Sequence, residues 1–163
     1  SFKKDSEHAG YEMLGESLSY LKTTTSLKML LSSQILKSLT KKLNKELKLR
    51  DLYIQFYFTK QSEVGQMGKL LIQSKATLHE FRFRGGFEEA SMFSALIADL
   101  KKASLLKVLE IVFDDPFFIN MAELINILKV FKELEVLYIK EPYQYITAGH
   151  VKNTHKGAIN SPN

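Results

Sequence analysis

The chain contains no cysteine. That absence excludes disulfides, thiol nucleophiles and thiolate metal ligands within these residues, and it suits a reducing, intracellular compartment. Long apolar runs are missing too: the stretch from Leu105 to Phe113 is interrupted by Lys107 and Glu110, whereas a membrane helix needs about 20 apolar residues. Neither charge sign dominates, since 23 basic and 18 acidic side chains are interspersed and leave a formal +5, a weak pull toward an acidic partner. Histidine is sparse and scattered at positions 8, 79, 150 and 155, with no third ligand near the two closest, so neither a metal site nor a cofactor is expected. His79 follows Leu78 in a strand-like stretch and reads as a packed or turn residue rather than a base. No Ser-His-Asp or paired-carboxylate motif appears, and the chain is not expected to be an enzyme.

Two glycine-containing runs imitate functional motifs. Gly65-Gln66-Met67-Gly68-Lys69 has the Gly-Lys pair of a phosphate loop, but Glu63 and Leu70 stand where that loop needs a glycine and a hydroxyl. The run is expected at a helix start. Arg84-Gly85-Gly86 resembles RNA-binding tripeptides that act by repetition, yet it occurs once, after a strand, where the glycines are expected to turn the chain through positive φ.

The chain is rich in self-similarity. A Leu-x-x-Leu-x-Leu pattern, with aliphatic or aromatic substitutes, recurs at Leu49-Leu52-Ile54, Leu78-Phe81-Phe83, Leu106-Leu109-Ile111 and Leu134-Leu137-Ile139, at intervals of 29, 28 and 28 residues. A weaker copy, Leu27-Leu30-Ser32, precedes the first. Each ends in strand-like alternation, with Leu52, Ile54 and Phe56 inward and Tyr53 and Gln55 outward. Between the strands, apolar residues fall at helical spacing: Met92, Phe93, Leu96, Ile97 and Leu100 in one interval, Leu124, Ile125, Leu128 and Phe131 in the next. Ile35 through Leu47 and Met67 through Leu71 supply two earlier helices, and Tyr11, Met13, Leu14, Leu18 and Leu21 one more before the first strand. The expectation is five strands alternating with five helices. With 45% apolar residues in 163, such a chain can bury a sizeable core. Short connections make successive strands parallel through right-handed crossovers, and the wider helices bend the stack with the strands inside. A flat sheet clad on both faces would need strands apolar on both sides, whereas Asp51, Gln55, Glu80, Arg82, Arg84, Glu110 and Lys140 take outward positions.

This period and motif resemble the ribonuclease-inhibitor-like class of leucine-rich repeats over about residues 9 to 140, with Gly10, Leu14, Leu18, Leu21, Leu27 and Leu30 fitting its helix-then-strand phrase. The resemblance implies an α/β fold, a right-handed βα leucine-rich-repeat solenoid forming a partial horseshoe, with parallel strands on the concave face and helices on the convex face. The copies are degenerate. The family places Asn or Cys after the strand, where this chain has Tyr57, Gly86, Asp114 and Pro142, and only Asp114 has a comparable side chain. Residues 1–146 are expected to form the repeat domain, about five βα repeats, with part of 142–146 shielding the last one. Residues 147–163 lack apolar periodicity and read as a flexible tail. The polar stretch 1–8 offers no recognisable cap, which leads to the expectation of a longer array or a partner at that end.

The resemblance implies a non-enzymatic interaction module with a protein partner on the concave face. The third, fifth and seventh places of each motif give its residues: Met29, Leu31 and Ser33 in the first copy; Asp51, Tyr53 and Gln55; Glu80, Arg82 and Arg84; Val108, Glu110 and Val112; Val136, Tyr138 and Lys140. Val108, Val112, Val136 and Tyr138 would form an apolar patch beside a charged band of Arg82, Arg84, Glu80 and Glu110. The alternative is a basic nucleic-acid-binding surface on the helical face, built from Lys41, Lys42, Lys45, Lys48, Lys101 and Lys102. Some relatives stimulate GTPases, but no loop-borne Arg or Asn suited to a nucleotide stands out.

Overall fold

A computed structural model describes residues 2–116, 121–142 and 144–148. Helices and strands alternate: α1 (Phe2–Leu18), β1 (Ser26–Leu30), α2 (Ser33–Lys41), β2 (Asp51–Phe58), α3 (Gln61–Gln73), β3 (Glu80–Phe87), α4 (Ala90–Leu100), β4 (Val108–Phe113), α5 (Met121–Val130), β5 (Val136–Glu141) and β6 (Gln144–Ala148). The first five strands pair in parallel in chain order, and β6 closes the far edge antiparallel to β5. Helices α1 to α4 pack on one another in the same sequence.

One face of this sheet carries the core. Leu52, Ile54, Phe56 and Phe58 of β2, Phe81 and Phe83 of β3, Leu109, Ile111 and Phe113 of β4, and Leu137 and Ile139 of β5 are buried, while residues between them are at most half-buried. Ile35, Leu36 and Leu39 of α2, Val64, Met67, Leu70 and Leu71 of α3, and Met92, Phe93, Leu96, Ile97 and Leu100 of α4 meet them. Each such side chain contributes about 1.5–3 kcal/mol by leaving water. Toward the C-terminal strand ends the core becomes aromatic: Phe58 and Phe87 stack at 5.1 Å, Phe56 meets Phe58 edge-on at 4.7 Å, and Phe93 and Phe113 extend the cluster.

Register is set ahead of each strand. The carbonyl of Thr25 accepts the N–H groups of both Arg50 and Asp51, that of Arg50 those of His79 and Glu80, that of His79 those of Lys107 and Val108, and that of Lys107 those of Glu135 and Val136. Buried polar side chains hold the connections. Glu63 at the start of α3 accepts from Ser33 Oγ of α2 at 2.8 Å and from the Thr59 and Lys60 N–H groups at 2.9 and 3.2 Å. At the opposite end of α3, Ser74 Oγ accepts the Leu49 N–H at 3.0 Å, Thr77 Oγ1 donates to the Leu49 carbonyl at 2.8 Å, and Gln73 Nε2 donates to the carbonyls of Asn44 and Leu47.

Several sequence expectations need correction. In β1 the register aligns Leu27 with Leu52 and Met29 with Ile54, so Ser26, Lys28 and Leu30 face outward, and not Met29, Leu31 and Ser33. The pattern Leu27-Leu30-Ser32 has the wrong phase, and an odd shift reverses every side chain in a strand. Helix α2 stops at Lys41, leaving Leu43 and Leu47 in the following loop, where Leu47 is still buried. In α5 Ile127 is buried and Ile125 is exposed; the side chain of Leu124 lies outside the described residues. Thr147 and Ala148 pair with β5, so the boundary drawn after Ile146 falls inside β6, while 149–163 lies outside the described residues. The phosphate-loop imitation sits inside α3, with Gly68 packed against the Asp99 carboxylate.

Gly85 and Gly86 do not turn the chain either: both lie within β3. Gly85 has φ +144, and a Cβ there would stand 1.8 Å from the Phe56 carbonyl oxygen, a backbone atom that cannot move aside without breaking the ladder. Gly65 faces open space on α3. We expect Gly85→Ala to lower the unfolding free energy by at least ~2 kcal/mol and Gly65→Ala to raise it by roughly 0.5–1 kcal/mol, both measured by urea titration of the two variants against the parent.

Candidate interaction face

The open face of the sheet is a grid fixed by the pairing register. One row runs Ser26, Asp51, Glu80, Val108, Val136; the next Lys28, Tyr53, Arg82, Glu110, Tyr138; the third Leu30, Gln55, Arg84, Val112, Lys140. Adjacent strands stand about 4.8 Å apart, so neighbours in a row can touch. All eleven residues expected from the sequence to form this surface (Tyr53, Gln55, Glu80, Arg82, Arg84, Val108, Glu110, Val112, Val136, Tyr138 and Lys140) lie on it, and each is half-buried or exposed.

Electrostatics within the grid are locally balanced. Arg82 lies between two carboxylates, 2.9 Å from Glu110 and 3.3 Å from Glu80. Arg84 Nε donates to Asp114 Oδ1 at 2.9 Å, and this hydrogen bond raises the guanidinium pKa above its ordinary, already high value. Lys28 Nζ lies 4.8 Å from the centre of the Tyr53 ring, a cation–π contact. Between Lys28, Asp51, Tyr53, Glu80, Arg82 and Glu110 the surface dips into a depression of about 380 Å³. Beside this charged part, Val108 and Val136 are register partners, and Tyr138 stands next to Glu110.

Besides Ser26 and Leu30 of β1, two charged contributors escaped the sequence reading. Asp114 was read only as the residue at the Asn position after the strand, but its carboxylate serves Arg84; its position one residue beyond β4 hid it. Lys28 was hidden by the phase error in β1. His79 is not in a turn but leads into β3, its Nδ1 2.7 Å from the Thr77 carbonyl oxygen. Among the described residues no group of three His, Asp or Glu side chains is arranged to hold a metal, and no helix is long and apolar enough to cross a membrane.

The lysines considered for nucleic-acid binding do not line helix faces. Among them only Lys41 lies within a helix; Lys42, Lys45 and Lys48 follow α2, and Lys101 and Lys102 follow α4. Cations there complement the negative helix C-terminus. Several are engaged: Lys42 binds Glu16 at 2.6 Å, which lowers the Glu16 pKa, Lys102 lies 3.4 Å from Asp99, and Lys48 donates to the Gln73 carbonyl.

Compared with family models, curated proteins and solved structures, the chain matches none. The ion pairs of the grid are partly open to solvent, and surface pairs contribute about 0–1 kcal/mol. Arg82→Ala is therefore expected to shift the unfolding midpoint by less than a ~1 kcal/mol change would produce, checked by thermal and urea denaturation. A larger loss would mean that this face serves the fold rather than a ligand.

Proposed function

We propose that the chain is a ribonuclease-inhibitor-like leucine-rich-repeat solenoid, a partial horseshoe of about five βα repeats, that acts as a non-enzymatic interaction module and captures a protein partner on its concave strand face. Support for the architecture comes from strands added in chain order, from burial on one sheet face only, and from offsets of 29, 28 and 28 residues between register partners Leu52, Phe81, Leu109 and Leu137. A helix needs more width than a strand, so repeated single-face stacking bends the array toward its strands.

The observation that carries the functional reading is a set of half-exposed Val108, Val112, Val136 and Tyr138 beside Arg82, with no part in the buried core. Aromatic and arginine side chains next to aliphatic ones are what protein interfaces use as anchors. The strand face is less suited to nucleic acid: Arg82 and Arg84 are already matched by Glu80, Glu110 and Asp114, and a phosphate backbone would have to displace those carboxylates.

Immobilised chain should retain a protein that the folded double variant Arg82→Glu, Tyr138→Ala does not. Once that protein is identified and purified, each substitution should cost about 2 kcal/mol, or roughly 30-fold in Kd. Undiminished binding by the double variant would move the interface to the helices. Titration with mixed RNA and DNA at two salt concentrations tests the rival, because phosphate contacts weaken steeply with salt; tight, salt-sensitive binding there would replace the present reading.

A further inference from the structure

Charge is divided between the two ends of the strands. Because β1 to β5 are parallel neighbours joined through helices, every connection from a helix to the next strand comes to one end of the sheet, and every connection from a strand to the next helix comes to the other. The five helix-to-strand connections, 19–25, 42–50, 74–79, 101–107 and 131–135, carry ten Lys and Arg against three Glu. The four strand-to-helix connections, 31–32, 59–60, 88–89 and 114–120, carry one Lys against four Asp and Glu. Adding the last turn of each helix brings Lys41, Lys129, Glu16 and Asp99 to the basic end, for twelve cations against five carboxylates.

These basic connections lie side by side. Lys48 Nζ donates to the Gln73 carbonyl at 3.4 Å, Lys22 lies 3.9 Å from Glu46, and Lys107 lies 3.1 Å from Glu135 of the next connection. Helix termini do not account for the excess: each C-terminus presents about half a negative charge, so five offset roughly 2.5 units. Lys45, Lys75, Lys129 and Lys132 are exposed and have no carboxylate within ion-pair distance among the described residues. Between the cations stand large apolar side chains that the core does not use. Tyr20, Ile72, Leu105 and Val130 are 37% to 66% exposed, and each lies in, or within two residues of, a different one of these connections.

We propose that this basic end is a docking surface for an anionic phospholipid membrane, which the chain meets with its strand starts and helix ends and does not cross. The lysines supply attraction to the headgroups, and the acidic opposite end sets the orientation by repulsion. Ile72, Leu105 and Val130 then reach the boundary between headgroups and acyl chains, with Tyr20 in the interfacial layer that tyrosine favours. Those apolar residues select the occupant. Nucleic acid has the same charge, but it is tracked by cations and aromatic stacking, and it offers three aliphatic side chains nothing to enter. Repeats stacked on either side would lengthen this row without covering it. The surface is separate from the open strand face and does not depend on its role.

The full chain should co-sediment with phosphatidylcholine vesicles that contain phosphatidylserine, detach as salt is raised, and leave pure phosphatidylcholine vesicles unbound. The combined variant Lys45→Ala, Lys75→Ala, Lys132→Ala should lower the partition coefficient roughly hundredfold, whereas arginine at the same three positions should preserve it. Ile72→Gln with Leu105→Gln, which leaves the charge unchanged, should lower it roughly tenfold. Since the chain has no cysteine, one can be introduced and labelled with an environment-sensitive fluorophore: on vesicles the label at Leu105→Cys should shift to the blue and that at Glu88→Cys, at the acidic end, should not. Circular dichroism checks the fold of each variant, and the salt and label measurements stand without the lysine substitutions. The proposal is overturned by absence of binding, by equal binding to both vesicle types, by a folded lysine variant that binds normally, or by a shift at Glu88→Cys in place of Leu105→Cys. RNA that displaces the vesicles at equal phosphate concentration, and binds the Ile72, Leu105 variant undiminished, would overturn it in favour of nucleic acid.

Discussion

The structure depends on a carbonyl that serves two donors. Ahead of β2, β3, β4 and β5, one backbone oxygen of the preceding lead-in accepts two successive N–H groups from the next. Such an acceptor fixes where a strand begins relative to its neighbour, and a parallel ladder then has one register to follow. The rows of outward side chains inherit that order. A slip of one residue at β3 would bring Arg82 level with Leu109 or Ile111 instead of Glu110, separating the ion pair and turning Phe81 and Phe83 out of the core. Open sheet face and hydrophobic core therefore share one determinant of position.

Away from the lead-in, the two ends of the sheet are held by different chemistry. At the strand starts, Ser74, Thr77 and Gln73 hydrogen-bond the backbone of the preceding connection, because buried peptide groups without partners are costly. At the strand ends, phenylalanines fill the space: Phe58, Phe83, Phe87, Phe93 and Phe113 lie in mutual contact. Close approach there is possible because Gly85 and Gly86 have no side chains to separate β3 from Phe56 and Tyr57. Glu63 does for the α2–α3 connection what Ser74 does for the other end, gathering a side chain and two backbone donors on one carboxylate.

Repetition made most of this legible in advance. Where three intervals of nearly equal length phase a strand, as at Leu52, Phe81, Leu109 and Leu137, alternation alone assigns each neighbour to the core or the open face, and the whole candidate surface from Tyr53 to Lys140 follows. The first strand failed that treatment because its offset to the next is 25 residues, outside the common period, and because Leu27-Leu30 imitates the motif in the wrong phase. Helix ends were poorly marked for a related reason: Leu43 and Leu47 keep helical spacing while belonging to a loop that packs on the core. Gly85 and Gly86 were misread because a turn and a close strand contact both select glycine. Arg84's partner, Asp114, lies 30 residues away, a distance that only the ladder closes.

Charge on the open face is arranged to be spent internally. The open face carries Lys28, Arg82, Arg84 and Lys140 together with Asp51, Glu80, Glu110 and Asp114, four of each sign, so the chain's excess of +5 resides elsewhere. In the proposed role, a partner approaching the grid would gain little long-range attraction from it, and its affinity would have to come from desolvating Val108, Val136 and the Tyr138 ring. The charged pairs then act on selectivity: a partner that covers Arg82 without accepting its hydrogen bonds, or that sets a carboxylate against Glu80 and Glu110, loses binding energy. Arg82 held between two carboxylates has its orientation fixed beforehand, so less side-chain freedom is lost on contact. An apolar patch bordered by such fixed charges favours one partner over others by what it rejects.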